Sequence, residues 1–518
     1  MKKGLNKNIY RTGLILSFLV VNALLLFGIS SVFSYLNTGA DKSSILHVQS
    51  ALEEIYFPKI TWENVENEGR SMEEPTLKKI EKDYLSAWHV RNLAYANNDP
   101  YGIDDYYTDS ARVKIHKIID FNKANGTRLN GTTLDHHPEL NFYSADGKLV
   151  VFTDKNVLMY TEIFKDQKLV TKQSDTSSFK IMMLLEDGFW RIRHMKEVPI
   201  KTDKPVEKMI PSPELNREIL NSKGVNYYPK DSPWEMFGVN YQENVIARDF
   251  EMIRNMGLNT VRIFVPYKDF GKANVASEKL AKLSSTLNLA VTHNLKVVVT
   301  LFDFYGDYDI QDWTLTHRHA EKIVTAFNDH EGILAWDIKN EPDLDFESRG
   351  KEKVLAWLQQ MASYIKQWDK KHPVTIGWSS PEAAVHLNEH LDFVSFHYYR
   401  DIADFDQAYQ MLRQAIPNKT LVLQEFGYSS YSGIWNLFNG SEESQAEYYK
   451  QIKVVLKKES LPYLFWTMHD FDKIPSTVVG RLPWRKQRQK YFGFIDKQGK
   501  QKASYNYLVL QNKELFNN

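Results

Sequence analysis

Cysteine is absent from all 518 residues, which excludes disulfides, thiolate nucleophiles, zinc-cysteine sites and lipid attachment through an N-terminal Cys. Net charge is absent too: 65 Lys and Arg balance 65 Asp and Glu. With no clustered basic excess to neutralise phosphates, nothing points to a nucleic-acid partner. Apolar residues are plentiful at 43%, enough to fill two or three ordinary globular domains. The 28 Tyr, 28 Phe and 12 Trp supply flat stacking faces, although most aromatics in any protein fill cores.

The chain opens with Lys2, Lys3, Lys7 and Arg11 ahead of the uncharged stretch "TGLILSFLVVNALLLFGISSVFSYL". About 20 apolar residues behind a basic flank predict a single-pass transmembrane helix, with the flank inside. Residues 1–37 are therefore expected to be a cytoplasmic tail and retained anchor in the cell membrane, single-pass, with the rest of the chain extracytoplasmic. A cleaved signal peptide is the rival reading, since small residues surround Ser30 and Ser31.

Residues 38–75 are polar and Glu-rich and read as a spacer. From Thr76, Leu77, Ile80, Tyr84, Leu85, Trp88 and Leu93 recur at helical spacing. Between Asn141 and Glu197 the pattern turns to long strands with an Asp-Gly hairpin signal in "ELNFYSADGKLVVFTD". Helices followed by an antiparallel meander make residues 76–200 a small α+β domain. That order, with "YLSAWHVRNLAYANND" and "YYTDSAR", resembles the nuclear-transport-factor-2-like (SnoaL-like) cone fold. The resemblance implies a cone that can hold an acid-base pair, for which His116, His136 and His137 are on offer. Two adjacent histidines before Pro138 read instead as a solvated loop. This domain is expected to be non-catalytic and to position the C-terminal part of the chain or assemble the protein. The Pro- and Lys-rich residues 201–213 read as a linker.

From Gly224 onward, short apolar runs alternate with helical segments, the pattern of repeated βα units. Strands begin near Gly224, Asn259, Lys296, Ile333, Val374, Phe393, Leu421 and Tyr463. Eight such runs predict a (β/α)8 TIM barrel over residues 214–518, an α/β fold preceded by the α+β cone-like domain. Reactive groups in such a barrel sit where strands end. The polar residues at those ends are Arg262 on the second strand, Asp303 on the third, Asn340 and Glu341 on the fourth, His397 and Tyr399 on the sixth, and Glu425 on the seventh. Trp466 ends the eighth.

Strands four and seven face each other across a barrel mouth, so Glu341 and Glu425 can flank one bound group. Two carboxylates about 5.5 Å apart suit a retaining glycosidase, one attacking the sugar carbon and the other protonating the leaving oxygen. Arg262, if it reaches Glu425, keeps that residue ionised as nucleophile and leaves Glu341 as acid and later base. This chemistry calls for no metal and no cofactor. The motifs "NEP" at Asn340, "QEFG" at Gln424, "HYY" at His397, "VRIF" at Val261 and "FW" at Phe465 together resemble the clan A glycoside hydrolases. The likeness is to the cellulase-like family five and its mannanase relatives. It implies that Asn340 binds the sugar 2-hydroxyl, that His397 and Tyr399 hold substrate and nucleophile, and that Trp466 stacks beneath the reacting ring.

One departure stands out. Many relatives carry a His near the end of strand three, where this chain reads "TLFDFYGDYDIQDW", with four aspartates between Asp303 and Asp312. Its spacing is not that of a calcium loop, so it reads as a solvated or sugar-binding rim in which Asp303 contacts substrate. The expected activity is cleavage of a β-linked oligo- or polysaccharide of glucan or mannan type. The alternative is an inactive glycan-binding or scaffold protein of a cell-envelope polysaccharide assembly.

Overall fold

The computed structural model describes residues 16–18, 20–22, 54–199, 213–434, 440–475, 478 and 482–513. The chain divides into two compact units, residues 1–54 and 55–518. In the first unit, Leu16 to Phe18 and Val20 to Asn22 are helical, and the rest of the expected anchor lies outside the described residues. Among the described residues no helix is long and apolar enough to cross a membrane. A span takes about 20 consecutive helical residues. The expected transmembrane helix and the single-pass membrane localisation built on it are corrected accordingly.

The second unit begins with the α+β region. Helix α1 (Glu74–Asn97) starts with Pro75 in its first turn, where the missing N–H costs nothing, and stops at Asn98 in a left-handed conformation. Helices α2 (Ile103–Tyr106) and α3 (Asp109–Asn125) follow. Strands β2 (Thr127–Tyr143), β3 (Leu149–Lys165), β4 (Lys168–Glu186) and β5 (Phe189–Val198) then pair as an antiparallel meander. A two-residue strand β1 (Lys59–Ile60), inside the stretch read as a spacer, adds to β2 in parallel. Ile80, Tyr84 and Trp88 of α1 are buried, and the rings of Tyr84 and Trp88 pack edge-on against Phe152 and Phe179 of the sheet.

His136 corrects the loop reading. It lies within β2, fully buried, with Nδ1 2.6 Å from Asp154 and Nε2 2.8 Å from Thr133. Asp154 also accepts the Tyr84 hydroxyl at 2.6 Å and the His137 backbone N–H at 2.8 Å. His137 is partly exposed beside Asp135, and His116 sits near Asp104 on the surface. The histidines are therefore not gathered at one point. Pro138 misled the reading because it sits inside a strand, where its ring displaces only one N–H.

The barrel strands are β6 (Lys223–Asn226), β7 (Thr260–Pro266), β8 (Lys296–Asp303), β9 (Ile333–Asn340), β10 (Val374–Trp378), β11 (Val394–Tyr398), β12 (Leu421–Phe426) and β13 (Tyr463–Trp466). All pair in parallel and the order closes on itself, giving a (β/α)8 barrel. Near-continuous apolar runs such as "TVRIFVP" and "KVVVTLFD" are what a sheet buried on both faces requires. Gly224 permits the first pairing, since a Cβ there would lie 2.1 Å from the Thr260 carbonyl oxygen. Leu215 and Ile219 of helix α4 (Pro213–Leu220) join a small core with Val298, Leu334, Val422 and Leu464 from the N-terminal halves of the strands. That helix closes the base and leaves the opposite end for chemistry.

Asp154 carries the polar core of the α+β region. Asp154→Ala strands the donors of Tyr84, His136 and His137, so a loss of about 3 kcal/mol or more is expected in urea unfolding. A loss under about 1 kcal/mol would show that those donors find other partners.

Candidate active site

Arg262 lies in the middle of β7 with no exposed surface. A buried guanidinium is tolerable only when its charge and its donors are all met. Its Nε donates to Thr300 Oγ1 and to Asp337 Oδ2, both at 3.0 Å. Nη2 donates to Asp337 Oδ2 at 2.6 Å and to Asn340 Oδ1 at 2.9 Å. Nη1 donates to Asn226 Oδ1 at 3.0 Å and to Glu425 Oε2 at 3.1 Å. One fixed cation thus ties together strands β6, β7, β8, β9 and β12.

Glu341 follows the last residue of β9 in a left-handed conformation, φ 47° and ψ 51°. That conformation costs a non-glycine residue about 1–3 kcal/mol and persists only where its surroundings hold it. Here the Glu341 N–H donates to the Gly377 carbonyl at 2.7 Å, and Pro342 begins a short 3-10 turn. Gly377 is itself required: a Cβ there would lie 2.6 Å from Gln424 Oε1 and 2.7 Å from Arg262 Nη2.

His397 Nδ1 sits 2.9 Å from Glu341 Oε1 and 3.9 Å from Glu425 Oε2. The Tyr399 hydroxyl donates to Glu425 Oε1 at 2.7 Å. One ligand atom from each of Glu341, His397 and Glu425 lies within 4.8 Å of the others. That spacing alone would admit a cation. Arg262, however, already brings positive charge to Glu425, and Tyr399 takes its other oxygen. Two ionised carboxylates at such a separation repel by about 3 kcal/mol at an effective dielectric near 20, so the pair favours holding one proton between them.

Burial penalises both carboxylates, but their surroundings differ. For Glu341, the hydrogen bond and charge of His397, with Arg262 and Lys339, outweigh burial and bring its pKa below the ordinary value. For Glu425, burial together with the charge of Glu341 outweighs His397, Arg262 and Tyr399 and raises it. Burial opposes the imidazolium of His397, yet the two flanking carboxylates win and its pKa is raised.

Asp303 ends β8, buried, and accepts the Tyr228 hydroxyl at 3.1 Å. Trp466 ends β13, almost fully buried, its ring 5.9 Å from that of Trp234 and 6.2 Å from that of Tyr228. Arg262, Asn340, Glu341, His397, Tyr399 and Glu425 thus form one connected cluster, and Asp303 and Trp466 join it through Tyr228 and Phe264. Asp337, Thr300 and Asn226 were missed by sequence reasoning. Asp337, fully buried and accepting from Arg262, Thr300 and the Gly377 N–H, had a signal: it is the lone acid inside the apolar run "ILAWDIKN". Asn226 had none, because a strand-end Asn reads as ordinary.

Burial pushes the Asp303 carboxyl up to about 6, from an unperturbed 3.8. Its charged form is therefore penalised in the folded state. That contribution to stability is most favourable below pH 3.8 and is lost as pH rises through about 6. Asp303→Asn should accordingly be more stable than wild type at pH 7.5 by roughly 2–3 kcal/mol, with the difference narrowing towards zero near pH 4. Urea unfolding at the two pH values checks this, and a pH-independent difference would contradict it.

Residues 221–472 match the family model described as cellulase (glycosyl hydrolase family 5). The chain is 31% identical over 170 residues to mannan endo-1,4-beta-mannosidase 5 of Solanum lycopersicum, covering 25% of this chain and 40% of that protein. It is 23% identical over 299 residues to a beta-glucuronidase of Chlorocebus aethiops, covering 53% of this chain and 43% of that one. The chain thus spans under half the length of these relatives. Among solved structures, it resembles the exo-beta-1,4-mannosidase Op5Man5 from Opitutaceae bacterium strain TAV5 with a TM-score of 0.46 and 18% identity, over 56% of this chain and 59% of that one. The matched segment runs from the turn before β6 to beyond Trp466 and contains both glutamates, so it is the barrel region of this chain that is similar to the cellulase-like glycosyl hydrolase family 5.

Proposed function

We propose that this protein is a retaining β-glycoside hydrolase that cleaves a β-linked oligo- or polysaccharide of glucan or mannan type. The observation that carries the reading is the pair of carboxylates within 4.8 Å, one of them held by a buried arginine. Retaining enzymes place their two carboxyl groups about 5–5.5 Å apart, whereas inverting ones leave room for a water.

In this reading Glu425 attacks the anomeric carbon. Arg262 and Tyr399 each hold one of its oxygens, which fixes its direction of approach and supports its charge. Glu341 protonates the departing glycosidic oxygen, and the bond to the leaving group breaks as the glycosyl ester with Glu425 forms. Glu341, now ionised, takes a proton from water, whose oxygen attacks the same carbon and releases Glu425. Asn340, already an acceptor from Arg262, has its side-chain amide N–H groups for the sugar 2-hydroxyl. Trp466 lies beneath the reacting ring, and Asp303 accepts from a sugar hydroxyl.

In the free protein the pKa directions favour a proton on Glu425, the reverse of what attack requires. Substrate can invert that balance. The Glu341 side chain is 25% exposed and that of Glu425 11%, so a sugar ring closing the mouth desolvates Glu341 more. Covering it raises its pKa, while the Arg262 cation stays against Glu425.

The α+β region, read as a nuclear-transport-factor-2-like module, takes no part in bond breaking in this scheme. The mannosidase relatives from Solanum lycopersicum make β-1,4-mannan the first polymer of a test panel, followed by β-glucans. No hydrolysis across that panel would favour the glycan-binding scaffold.

Glu425→Gln is expected to abolish turnover and leave folding intact; activity above a few per cent of wild type would remove its role as nucleophile. Glu341→Ala should slow substrates with poor leaving groups by about 10²–10⁴-fold and activated aryl glycosides far less. Azide should partly restore turnover by forming a glycosyl azide of retained configuration. Equal losses on both substrate types, with no azide product, would contradict the acid-base role.

A further inference from the structure

We infer that the α+β region props the rim of the active site, and that Tyr160 and Trp313 are positioning residues for substrate binding. Leu134 of β2 and Tyr160 of β3 are buried in the same hydrophobic core as the barrel. Tyr160 packs on Trp313 with ring centroids 4.3 Å apart. Trp313 is the first residue of helix α5 (Trp313–Phe327), immediately after the loop of residues 304–312 that leaves β8 at the catalytic face.

A continuous set of contacts runs inward from there. Trp313 Nε1 donates to the Tyr308 carbonyl at 3.2 Å. The Tyr308 hydroxyl donates to Asp345 at 2.5 Å, which joins the loop after β8 to the turn after Glu341. Asp345 lies 3.4 Å from Lys339 Nζ, and that ammonium also donates to the Asn340 carbonyl at 3.2 Å. From the sheet, Asn130 accepts from Gln311 Nε2 at 3.2 Å. Strand β1 and the residues just before it hold the same helix, with the Phe57 N–H donating to Thr314 Oγ1 at 3.0 Å and Lys59 pairing with Glu321 at 2.6 Å.

The loop needs such support. It begins at Phe304, a bulky residue at φ 59° and 42% exposed, directly after Asp303. A left-handed Phe is disfavoured unless the surrounding structure fixes it. Clamping the far end of the loop at Trp313 fixes where Asp303 and Phe304 stand against a sugar bound in the mouth. The two reacting carboxylates do not depend on the clamp in the same way, because Arg262, Tyr399 and His397 hold them from within the barrel. Loss of the clamp should therefore weaken binding of an extended substrate more than it slows the chemistry.

This inference rests on the glycosidase reading, and the test separates the two. The full chain is assayed as wild type, Tyr160→Ala, Tyr160→Phe and Gln311→Ala, on a β-linked oligosaccharide and on a small activated aryl glycoside. If wild type hydrolyses neither, the glycosidase reading fails and the inference with it. If wild type is active, Tyr160→Ala should raise KM for the oligosaccharide about tenfold, with kcat on the aryl glycoside changed less than about twofold. Tyr160→Phe, which keeps the ring, should match wild type. Unchanged KM in folded Tyr160→Ala overturns the inference. If Tyr160→Ala does not fold, Gln311→Ala decides: a KM rise of about twofold supports the clamp, and an unchanged KM overturns it.

Discussion

A positive charge with no access to water organises this molecule. Arg262 sits inside a barrel whose strands are mostly apolar, and the free energy of keeping it there is recovered only if Asp337 and Glu425 both stay within reach. That requirement constrains five strands at once. It makes Gly377 necessary, because any side chain there would push into the guanidinium. It also divides the arginine's charge between two acids. Asp337 takes the shorter contact at 2.6 Å and Glu425 the longer one at 3.1 Å. Glu425 is thus steadied by only part of that charge, which suits the nucleophile role proposed for it, in which an ester forms and is later released.

The barrel was legible because its strands announce themselves twice, as apolar runs at regular intervals and as polar residues where those runs stop. All eight strands lie where the runs do. The candidate site residues at strand ends stood out by the same logic, since an acid at or just past the end of an apolar run, as at Glu425 and Glu341, marks that end as a candidate for chemistry. Asp337 escaped because the logic was applied to strand ends and not to strand interiors. A buried acid within a strand implies a buried base on a neighbour, and Arg262, inside "VRIFV", was there to be matched with it. Asn226 and Thr300 could not be found in this way: uncharged polar residues in strands carry no cost large enough to demand a partner.

His136 failed for a different reason. Adjacent histidines followed by proline suggest a loop when each residue is weighed alone, but a strand of 17 residues overrides that local preference through its pairing with β1 and β3. Once buried, His136 must meet its polar atoms with Asp154 and Thr133, and the polar core of the α+β region is built on that demand. The joint between this region and the barrel was equally hidden. Tyr160 and Trp313 are 153 positions apart, and neither carries a pattern that singles it out from the 28 tyrosines and 12 tryptophans around it.

That joint alters how the molecule divides its labour. A spacer or assembly module would touch the barrel through a polar, separable surface, whereas Leu134 and Tyr160 enter the barrel's own core. They do so beside the helix whose first residue closes the loop after β8. The base of the barrel is closed by α4, whose Leu215 and Ile219 pack on the strand starts. At the opposite end the loops must be long enough to contact substrate, and long loops lose order unless something holds them. Residues 304–312 are held at one end by the strand that carries Asp303 and at the other by a tryptophan pressed against another sheet. The acid at Glu341 is set from within by Arg262's network and His397, and the rim beside it is set from outside by the α+β region, so binding and chemistry draw their geometry from different parts of one chain.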